Sequence, residues 1–266
     1  MPTDLDSFGP DDPVLVSPRY LAGPRLEQRP LAAAMVWSSL MKAGWATYTL
    51  DNQREPLLCA SPCQLVRAAR MPNATDGGWK TVVYEDPLAA PWWTAEWTQQ
   101  TPAELLTDFH RALAEAHALG ALHSLTSPAA AVYLPLLNAG WSHTVDERGN
   151  QMFTAPDRFA TVTGHRRPSH GSDAWSLSVF PGTTGVCRWS ARFSKQVPNA
   201  LVAAFTASLA DTTPVYRTAG QLPKELHSHL VTEPAPPCAP GRSEAGAASA
   251  PVLPTAGPGQ STARRL

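Results

Sequence analysis

Cysteine and histidine are the residues of this chain whose side chains could bind a metal ion or act in catalysis. Cys59 and Cys63 have three residues between them, a spacing found in zinc sites, but a structural zinc site needs a second pair of ligands. Cys187 and Cys238 are not spaced as such a pair. We therefore expect reduced thiols, no metal centre and no cofactor.

The spacing of the histidines is equally weak evidence for a metal site or a catalytic site. His110 and His117 lie seven positions apart, which places them on one face of a helix, and His123 follows them. No acidic side chain stands in register with them, so we expect surface histidines, and the same holds for His227 and His229. The chain also lacks a glycine-rich phosphate loop and a nucleophile elbow, so no catalytic residue is predicted.

A single local cluster of basic residues stands in the segment His165-Arg166-Arg167-Pro168-Ser169-His170. A basic loop beside a sheet could contact phosphate, although a solvated loop is the simpler interpretation. Basic residues of other predicted strands could extend this surface. The candidate ligand or nucleic-acid surface consists of Arg67, Arg70, His165, Arg166, Arg167 and Arg192.

Composition excludes several classes of protein. Of 266 residues only 16% are charged, against roughly 25% in typical soluble domains, so neither a coiled coil nor a charge-driven disordered chain is expected. The 21 basic and 22 acidic residues give a net charge of -1, which disfavours nucleic acid and anionic membranes as partners. No apolar run could span a bilayer and no secretory signal opens the chain, so we expect a cytoplasmic protein.

The most informative feature is an internal repeat. Rare residues recur at a constant separation of 96 positions, which is far more typical of a duplicated module than of coincidence. The offset is 94 where Ser61-Pro62 matches Ala155-Pro156, as a small difference in loop length would produce. The other matches include Gly44-Trp45 with Gly140-Trp141, Trp79 with Trp175, Trp93 with Trp189, Trp97 with Phe193, and Phe109 with Phe205.

Each copy is predicted to be a helix, a meander of four or five strands and a closing helix, which gives an α+β fold of two modules in a pseudo-two-fold pair. The first helix of copy one, 31–43, should end at Gly44, and that of copy two should begin at Ser127 and end at Gly140. Thr101 and Glu104 predict a capping box for the first closing helix. The predicted strands are 45–50, 57–60, 64–70, 79–85 and 92–98, then 141–145, 151–155, 160–164, 175–180 and 188–194.

Alternation along the last strand of copy one places Trp93, Ala95 and Trp97 on one face, and copy two repeats the pattern. The repeated aromatic residues are therefore predicted to form the core. They are Trp45, Trp79, Trp93, Trp97, Phe109, Trp141, Trp175, Trp189, Phe193 and Phe205.

Domain boundaries follow from these patterns. Residues 1–13 are expected to be a flexible N-terminus, 14–119 the first module (copy one) and 125–220 the second (copy two), with a possible extra strand at 14–16. Residues 233–266 are rich in Ala, Pro, Gly and Ser and are expected to be a disordered tail.

Several motifs together resemble a known family. They are 16–23 (Val-Ser-Pro-Arg-Tyr-Leu-Ala-Gly), Ala-Gly-Trp at 43–45 and 139–141, Ser-Pro-Cys at 61–63, Trp-x-Ala-x-Trp at 93–97, and 201–210. The chain is similar to the streptomycete domain-of-unknown-function family numbered 317. The resemblance implies a cytoplasmic actinobacterial protein with two copies of the domain, and no activity. Copy two departs from the pattern, with Ala155-Pro156-Asp157 where Ser-Pro-Asp is usual.

Three functions are compatible with these observations. The first is a non-enzymatic binding or protein-interaction protein that uses a sheet face or the groove between the copies, with a protein as the favoured partner. The second is nucleic-acid binding, because the tandem order resembles the saddle of the TATA-binding-protein fold; it requires Arg67, Arg70 and Arg192 to converge on one face. The third, an enzyme, would need a pocket that holds two or more titratable residues.

Overall fold

A computed structural model describes residues 5–23, 33–49, 56–71, 78–123, 126–166, 173–181 and 186–235 of the protein. Within these residues the chain has an α+β fold with antiparallel sheets. No helix among them is long and apolar enough to cross a membrane. Leu31, Arg167, Cys238 and the predicted tail beyond residue 235 lie outside the described residues.

Each predicted strand of the two copies has an observed counterpart, with small differences at the ends. A strand before copy one is present as well. The elements up to the end of copy one are β1 (Pro13–Ser17), α1 (Ala33–Val36), α2 (Ser38–Lys42), β2 (Ala46–Tyr48), β3 (Leu58–Ala60), β4 (Val66–Met71), β5 (Gly78–Tyr84), β6 (Pro91–Thr98) and α3 (Ala103–Ala118). Copy two consists of α4 (Ala130–Asn138), β7 (Ser142–Val145), β8 (Gln151–Thr154), β9 (Ala160–Gly164), β10 (Asp173–Val179), β11 (Trp189–Ser194) and α5 (Asn199–Ala210).

The two copies share one ten-stranded sheet with the order β2-β3-β4-β5-β6-β11-β10-β9-β8-β7. The last strands of the copies, β6 and β11, pair in the middle, with Trp97 opposite Ala191 and Ala95 opposite Phe193. Backbone hydrogen bonds therefore join the copies across β6 and β11.

The core lies between this sheet and the helices. Every aromatic residue of the predicted core set is at most 7% exposed. The Trp97 ring lies 4.7 Å from Phe109 of α3, 5.7 Å from Phe193 and 6.2 Å from Phe205 of α5, measured between ring centroids. Aromatic residues of both copies thus pack in one cluster, and burial of this apolar surface stabilises the copies together.

A second sheet contains residues that the repeat does not include. Its strand β1 lies between β12 (Val215–Thr218) and β13 (Val231–Pro234), neither of which was predicted. The expectation of a flexible N-terminus is wrong for residues 5–13, because Leu5 is buried in the core. The tail boundary was also placed too early, since Glu233 and Pro234 belong to β13.

The starts of the helices differ from prediction. The Thr101 hydroxyl donates to the Thr98 carbonyl (2.8 Å) rather than capping α3, whose N-cap is Pro102. Glu104 accepts two hydrogen bonds from the Arg217 guanidinium, at 2.8 and 2.7 Å, so the predicted capping box is wrong. Burial opposes ionisation of Glu104, but Arg217 outweighs it and holds the pKa of this carboxyl below its usual value.

The start of α4 was also misplaced, because its N-cap is Ala129 rather than Ser127. The Ser127 carbonyl instead accepts a hydrogen bond from the Asn199 side chain of α5 at 2.9 Å. The first helix of copy one is divided at Trp37, which separates α1 from α2.

The predicted glycine ends of α2 and α4 are confirmed. Gly44 and Gly140 have φ values of 82° and 80°, a left-handed conformation that glycine adopts without a steric penalty. The backbone N–H of the following tryptophan donates a hydrogen bond to the carbonyl of Leu40 in copy one and of Leu136 in copy two, at 3.1 Å in each. Both helices therefore end in the same glycine motif, which directs Trp45 or Trp141 into the core.

Candidate ligand-binding cleft

The structure does not bring the predicted basic surface together. Arg67 lies opposite Val82 and Arg70 opposite the buried Trp79, so these two neighbours point to opposite sides of the sheet. The Arg67 guanidinium lies 4.9 Å from the centre of the Tyr84 ring. Arg192 lies on the sheet face opposite the core.

The charges near Arg192 are largely neutralised. Arg192 forms an ion pair with Asp173 (2.7 Å), and Lys80 forms one with Glu96 (2.6 Å). Glu96 also lies directly opposite Arg192 across the β6–β11 pair. The central part of this face therefore alternates in charge and presents no concentrated positive field.

His165 and Arg166, by contrast, border a cleft of about 530 Å³ at the outer end of copy two. Its floor is a row of neighbouring residues across four strands, and the start of α4 contributes Ala129 and Tyr133. The floor row is Val145, Gln151, Gly164 and Trp175. The remaining lining residues are Gly149, His165, Arg166 and Ala174.

The turn between β7 and β8 positions Arg166. Asp146 accepts hydrogen bonds from the backbone N–H groups of Arg148 (2.9 Å) and Asn150 (2.8 Å) and from the Asn150 side chain (2.9 Å), which lower the pKa of this carboxyl. The Asn150 side-chain oxygen in turn accepts a hydrogen bond from the backbone N–H of Arg166 at 3.2 Å. A Cβ atom on Gly149 would lie 2.7 Å from Arg166 Cδ, so any other residue there would displace the Arg166 side chain.

Aromatic rings line the cleft, Trp175 in its floor and Tyr133 in its wall. Tyr133 stacks on Phe153 with a centroid distance of 5.1 Å and an interplanar angle of 11°. The Trp175 indole N–H donates to Asn199 Oδ1 at 3.3 Å, which fixes the ring. A Cβ atom on Gly164 would lie 2.7 Å from Trp175 Cζ3, so this glycine lets the indole lie flat on the sheet. The walls are thus held by contacts within the protein.

Arg166 supplies the charge of the cleft. It is exposed, and no carboxylate in the described part of the chain forms an ion pair with it. The other basic group, His165, is engaged through Nε2 with Ser176 Oγ at 3.1 Å. An unpaired guanidinium beside aromatic walls can bind an anionic group that is attached to a flat or apolar body.

Comparison with known families identifies the repeat. The model of the family described as SPDY, domain of unknown function (DUF317), matches residues 60–119 and 154–215. Two segments of the chain thus match DUF317, as expected of a two-copy DUF317 protein. The matches begin 94 positions apart and end 96 apart, the same offsets as in the sequence repeat. No significant match was found among the curated proteins or the solved structures that were compared.

The two DUF317 copies contain the same turn after their first paired strands. Residues 61–64 follow β3 and residues 155–158 follow β8, and the fourth residue of each turn is left-handed: Gln64 has φ 61° and Arg158 has φ 66°. In copy one the third residue, Cys63, contacts His117 Nε2 (3.4 Å). In copy two the third residue is Asp157, which accepts a hydrogen bond from the Tyr20 hydroxyl (2.6 Å).

The copy-two turn borders a second cavity, of about 320 Å³. Several titratable residues line this cavity, and Tyr20, Asp157 and Asp211 already have partners within the protein. Burial and the neighbouring Asp157 raise the pKa of Tyr20, which donates its proton to that carboxylate. Asp157 also accepts from the Phe159 N–H (2.9 Å), and Asp211 pairs with Arg19 (2.7 Å). This arrangement is typical of a structural network.

His110 is not a surface residue, so that expectation is wrong. It is fully buried on α3; its Nδ1 donates to the Leu106 carbonyl (2.7 Å) and its Nε2 lies 3.1 Å from the Thr81 hydroxyl. Burial lowers the pKa of His110 to about 4. The helical spacing indicated this position, because Leu106 and Leu113 lie on the same face of the helix.

The described residues contain no group of three or more His, Cys, Asp and Glu side chains that could hold a metal ion. Cys59 is buried, which raises the pKa of its thiol to about 12, whereas Cys63 is exposed. Tyr133 was not predicted as a cleft residue. The repeat register could have found it, since Tyr133 follows Trp37 by 96 positions.

Proposed function

We propose that this DUF317 protein is a non-enzymatic binding protein, in which the two copies form a pseudo-two-fold pair across β6 and β11. The ligand site is the cleft at the outer end of copy two. Its ligand carries a carboxylate or another anionic group next to a flat or apolar body, and it belongs either to a partner protein or to a small molecule.

The observation that carries this proposal is the Arg166 guanidinium, which forms no ion pair with a carboxylate of the described residues, beside the rings of Tyr133 and Trp175. A volume of about 530 Å³ falls within the range typical of ligand sites. The charge, the aromatic surface and the polar Gln151 meet in one concave site, which is the usual composition of a pocket that orients a ligand.

The alternatives have weaker support. An enzyme needs a nucleophile or an acid and a base that face a substrate, and the described residues that line the cleft include no cysteine, serine or carboxylate. The saddle-like nucleic-acid interface required Arg67, Arg70 and Arg192 on one face. Arg67 and Arg70 lie on opposite sides of the sheet, and Arg192 is paired with Asp173.

The test is ligand-observed NMR with the full chain. One set of probes contains free aromatic carboxylates and their uncharged amides, and a second contains capped tetrapeptides with an acidic residue beside an aromatic one. We expect the carboxylates to bind and the amides to bind at least tenfold more weakly. Preference for the peptides would indicate a partner protein, and preference for the free acids a small molecule.

Three variants locate the site. Arg166→Gln should weaken binding by about tenfold to a hundredfold, the usual worth of a hydrogen bond to a charged group, and Tyr133→Trp should reduce binding by filling the cleft. Arg148→Gln is the matched control, because Arg148 is exposed in the neighbouring β7–β8 turn and is not among the described residues that line the cleft. Absence of binding by both probe sets, or binding that Arg166→Gln and Tyr133→Trp leave unchanged, would contradict the proposal.

A further inference from the structure

The turn of copy one places a thiol beside a base. Cys63 is exposed and follows β3 in the turn 61–64. Its Sγ lies 3.3 Å from Ser61 Oγ, and this hydroxyl also accepts the Val66 N–H at 3.1 Å. The turn therefore holds the thiol in a defined position on the surface.

The base comes from a distant part of the chain. His117 lies in the last turn of α3, and its Nε2 is 3.4 Å from Cys63 Sγ. The imidazole packs edge-on against Trp45 with a centroid distance of 5.1 Å. This contact orients the ring towards the thiol, so the pair is built by two separate elements and does not depend on the turn alone.

The imidazole is held in its neutral form. Partial burial lowers the pKa of His117, and no carboxylate in the described residues forms an ion pair that would favour its protonated form. A neutral Nε2 can accept the thiol proton, and removal of this proton produces the thiolate that acts as a nucleophile.

The other described cysteines lack such a base. Cys59 is buried and its thiol has a raised pKa. Cys187 is exposed, but its Sγ donates to the Trp189 carbonyl at 3.3 Å, and burial is the main cause that raises the pKa of its thiol. Among the described thiols, Cys63 alone combines exposure with a neighbouring histidine.

We propose that Cys63 is a site of reversible S-thiolation by small disulfides, with His117 as the general base. The Cys63 proton moves to His117 Nε2 and the thiolate attacks one sulfur of the disulfide. A new bond forms between Cys63 Sγ and that sulfur as the original S–S bond breaks. The departing thiolate takes the proton from His117, so the base is regenerated and the small disulfide is the oxidant.

The experiment uses the full chain with Cys238→Ser, because Cys238 lies outside the described residues, and 2-hydroxyethyl disulfide as a neutral probe. The extent of modification at each cysteine is followed by peptide mass spectrometry. We expect Cys63 to react at least about tenfold faster than Cys187, which serves as an internal control in the same molecule.

His117→Gln tests the role of the base. Glutamine keeps a polar group near Sγ but cannot take a proton, so the Cys63 rate should fall about tenfold or more while the Cys187 rate stays unchanged. Circular dichroism and the Cys59 accessibility report whether the variant is folded. Equal rates for Cys63 and Cys187, or a folded His117→Gln variant with the original Cys63 rate, would overturn the proposal. The site is distant in sequence from the copy-two cleft, so either proposal can fail without the other.

Discussion

The outer ends of the two copies differ in what their matched aromatic residues do. In copy one, Trp37 is fully buried and packs edge-on against Trp79 at a centroid distance of 5.7 Å. The residues 96 positions later, Tyr133 and Trp175, both border the cleft, and Tyr133 stacks on Phe153 instead. The position of Trp37 and Tyr133 is thus core in one copy and part of a cleft in the other, whereas the matching tryptophans, Trp79 and Trp175, are buried in both copies.

The turns 61–64 and 155–158 also have matching positions with different surroundings in the two copies. Their backbones match, including the left-handed fourth residue, but Cys63 meets a histidine and Asp157 meets Tyr20. The duplicated backbone determines the position of each side chain, but the partners come from different places: His117 from the last turn of α3, which is longer than α5, and Tyr20 from the segment after β1. Chemistry therefore differs between copies at positions of equal geometry.

The largest expected effect concerns positions where the copies are equivalent. Trp93 and Trp189 are each 1% exposed, and their indole N–H groups donate to the carbonyls of Leu122 (3.1 Å) and Tyr20 (2.7 Å). Trp93→Ala and Trp189→Ala should each lower the free energy of unfolding by about 3–5 kcal/mol, measured by urea denaturation. Clearly unequal losses would show that one copy dominates the stability of the shared core.

The next effect concerns a buried histidine that only copy one has, since the matching residue of copy two is Thr206. The folded pKa of His110, about 4, lies below the usual 6.5, so the unfolded chain binds the extra proton and stability falls as the pH drops below 6.5. Between pH 8 and pH 5 this group should cost about 2 kcal/mol.

Urea unfolding at several pH values measures this contribution. His110→Gln should remove it, because glutamine does not titrate, and Thr206→Ser serves as the control that leaves the pH dependence unchanged. A wild-type pH profile identical to that of His110→Gln would mean that the histidine does not stay neutral in the folded protein.

Exchange of the aromatic residues tests the difference between core and cleft. Trp37→Tyr leaves a void beside Trp79 and should cost about 1–2 kcal/mol of unfolding free energy. Tyr133→Trp occupies space that is already open and should change stability by less than about 0.5 kcal/mol. Thermal and urea denaturation compare the two; equal destabilisation would argue against an open cleft in copy two.

The smallest effect should be the same in both copies. Gly44 and Gly140 have nearly equal positive φ values, and a Cβ atom on either would have no neighbour within 4 Å. The cost of alanine is therefore conformational alone, about 1 kcal/mol at each position. Urea denaturation of Gly44→Ala and Gly140→Ala should give values that agree within error, and a difference would show that one helix end is under strain.

Local and repeated signals explain what could be predicted. The alternation of Trp93, Ala95 and Trp97 identified the core side of β6, because side chains on a strand alternate with period two. The second sheet was missed because β12 and β13 have no counterpart in copy one. The capping box failed because Arg217, more than 100 positions from Glu104, competes for its carboxylate.

The candidate site was only partly visible in the sequence. Arg166 and His165 stood out as basic residues, but their grouping with Arg67, Arg70 and Arg192 was wrong, because strand pairing distributes these arginines over different surfaces. The cleft could not be recognised from residue type, since Trp175 was predicted as a core residue and is only 7% exposed, and Tyr133 had no distinguishing feature outside the repeat register.

Residue type and short-range periodicity were enough to predict the duplication, the order of helices and strands within each copy, the core side of β6 and β11, and the glycine helix ends. Tertiary structure decided that β6 and β11 join the copies, that His110 is buried against Thr81, that Cys63 meets His117 and that Arg166 lies beside open aromatic walls. Each of these depends on which distant side chains are brought together, and pairing across such distances leaves no periodic signal in a single sequence.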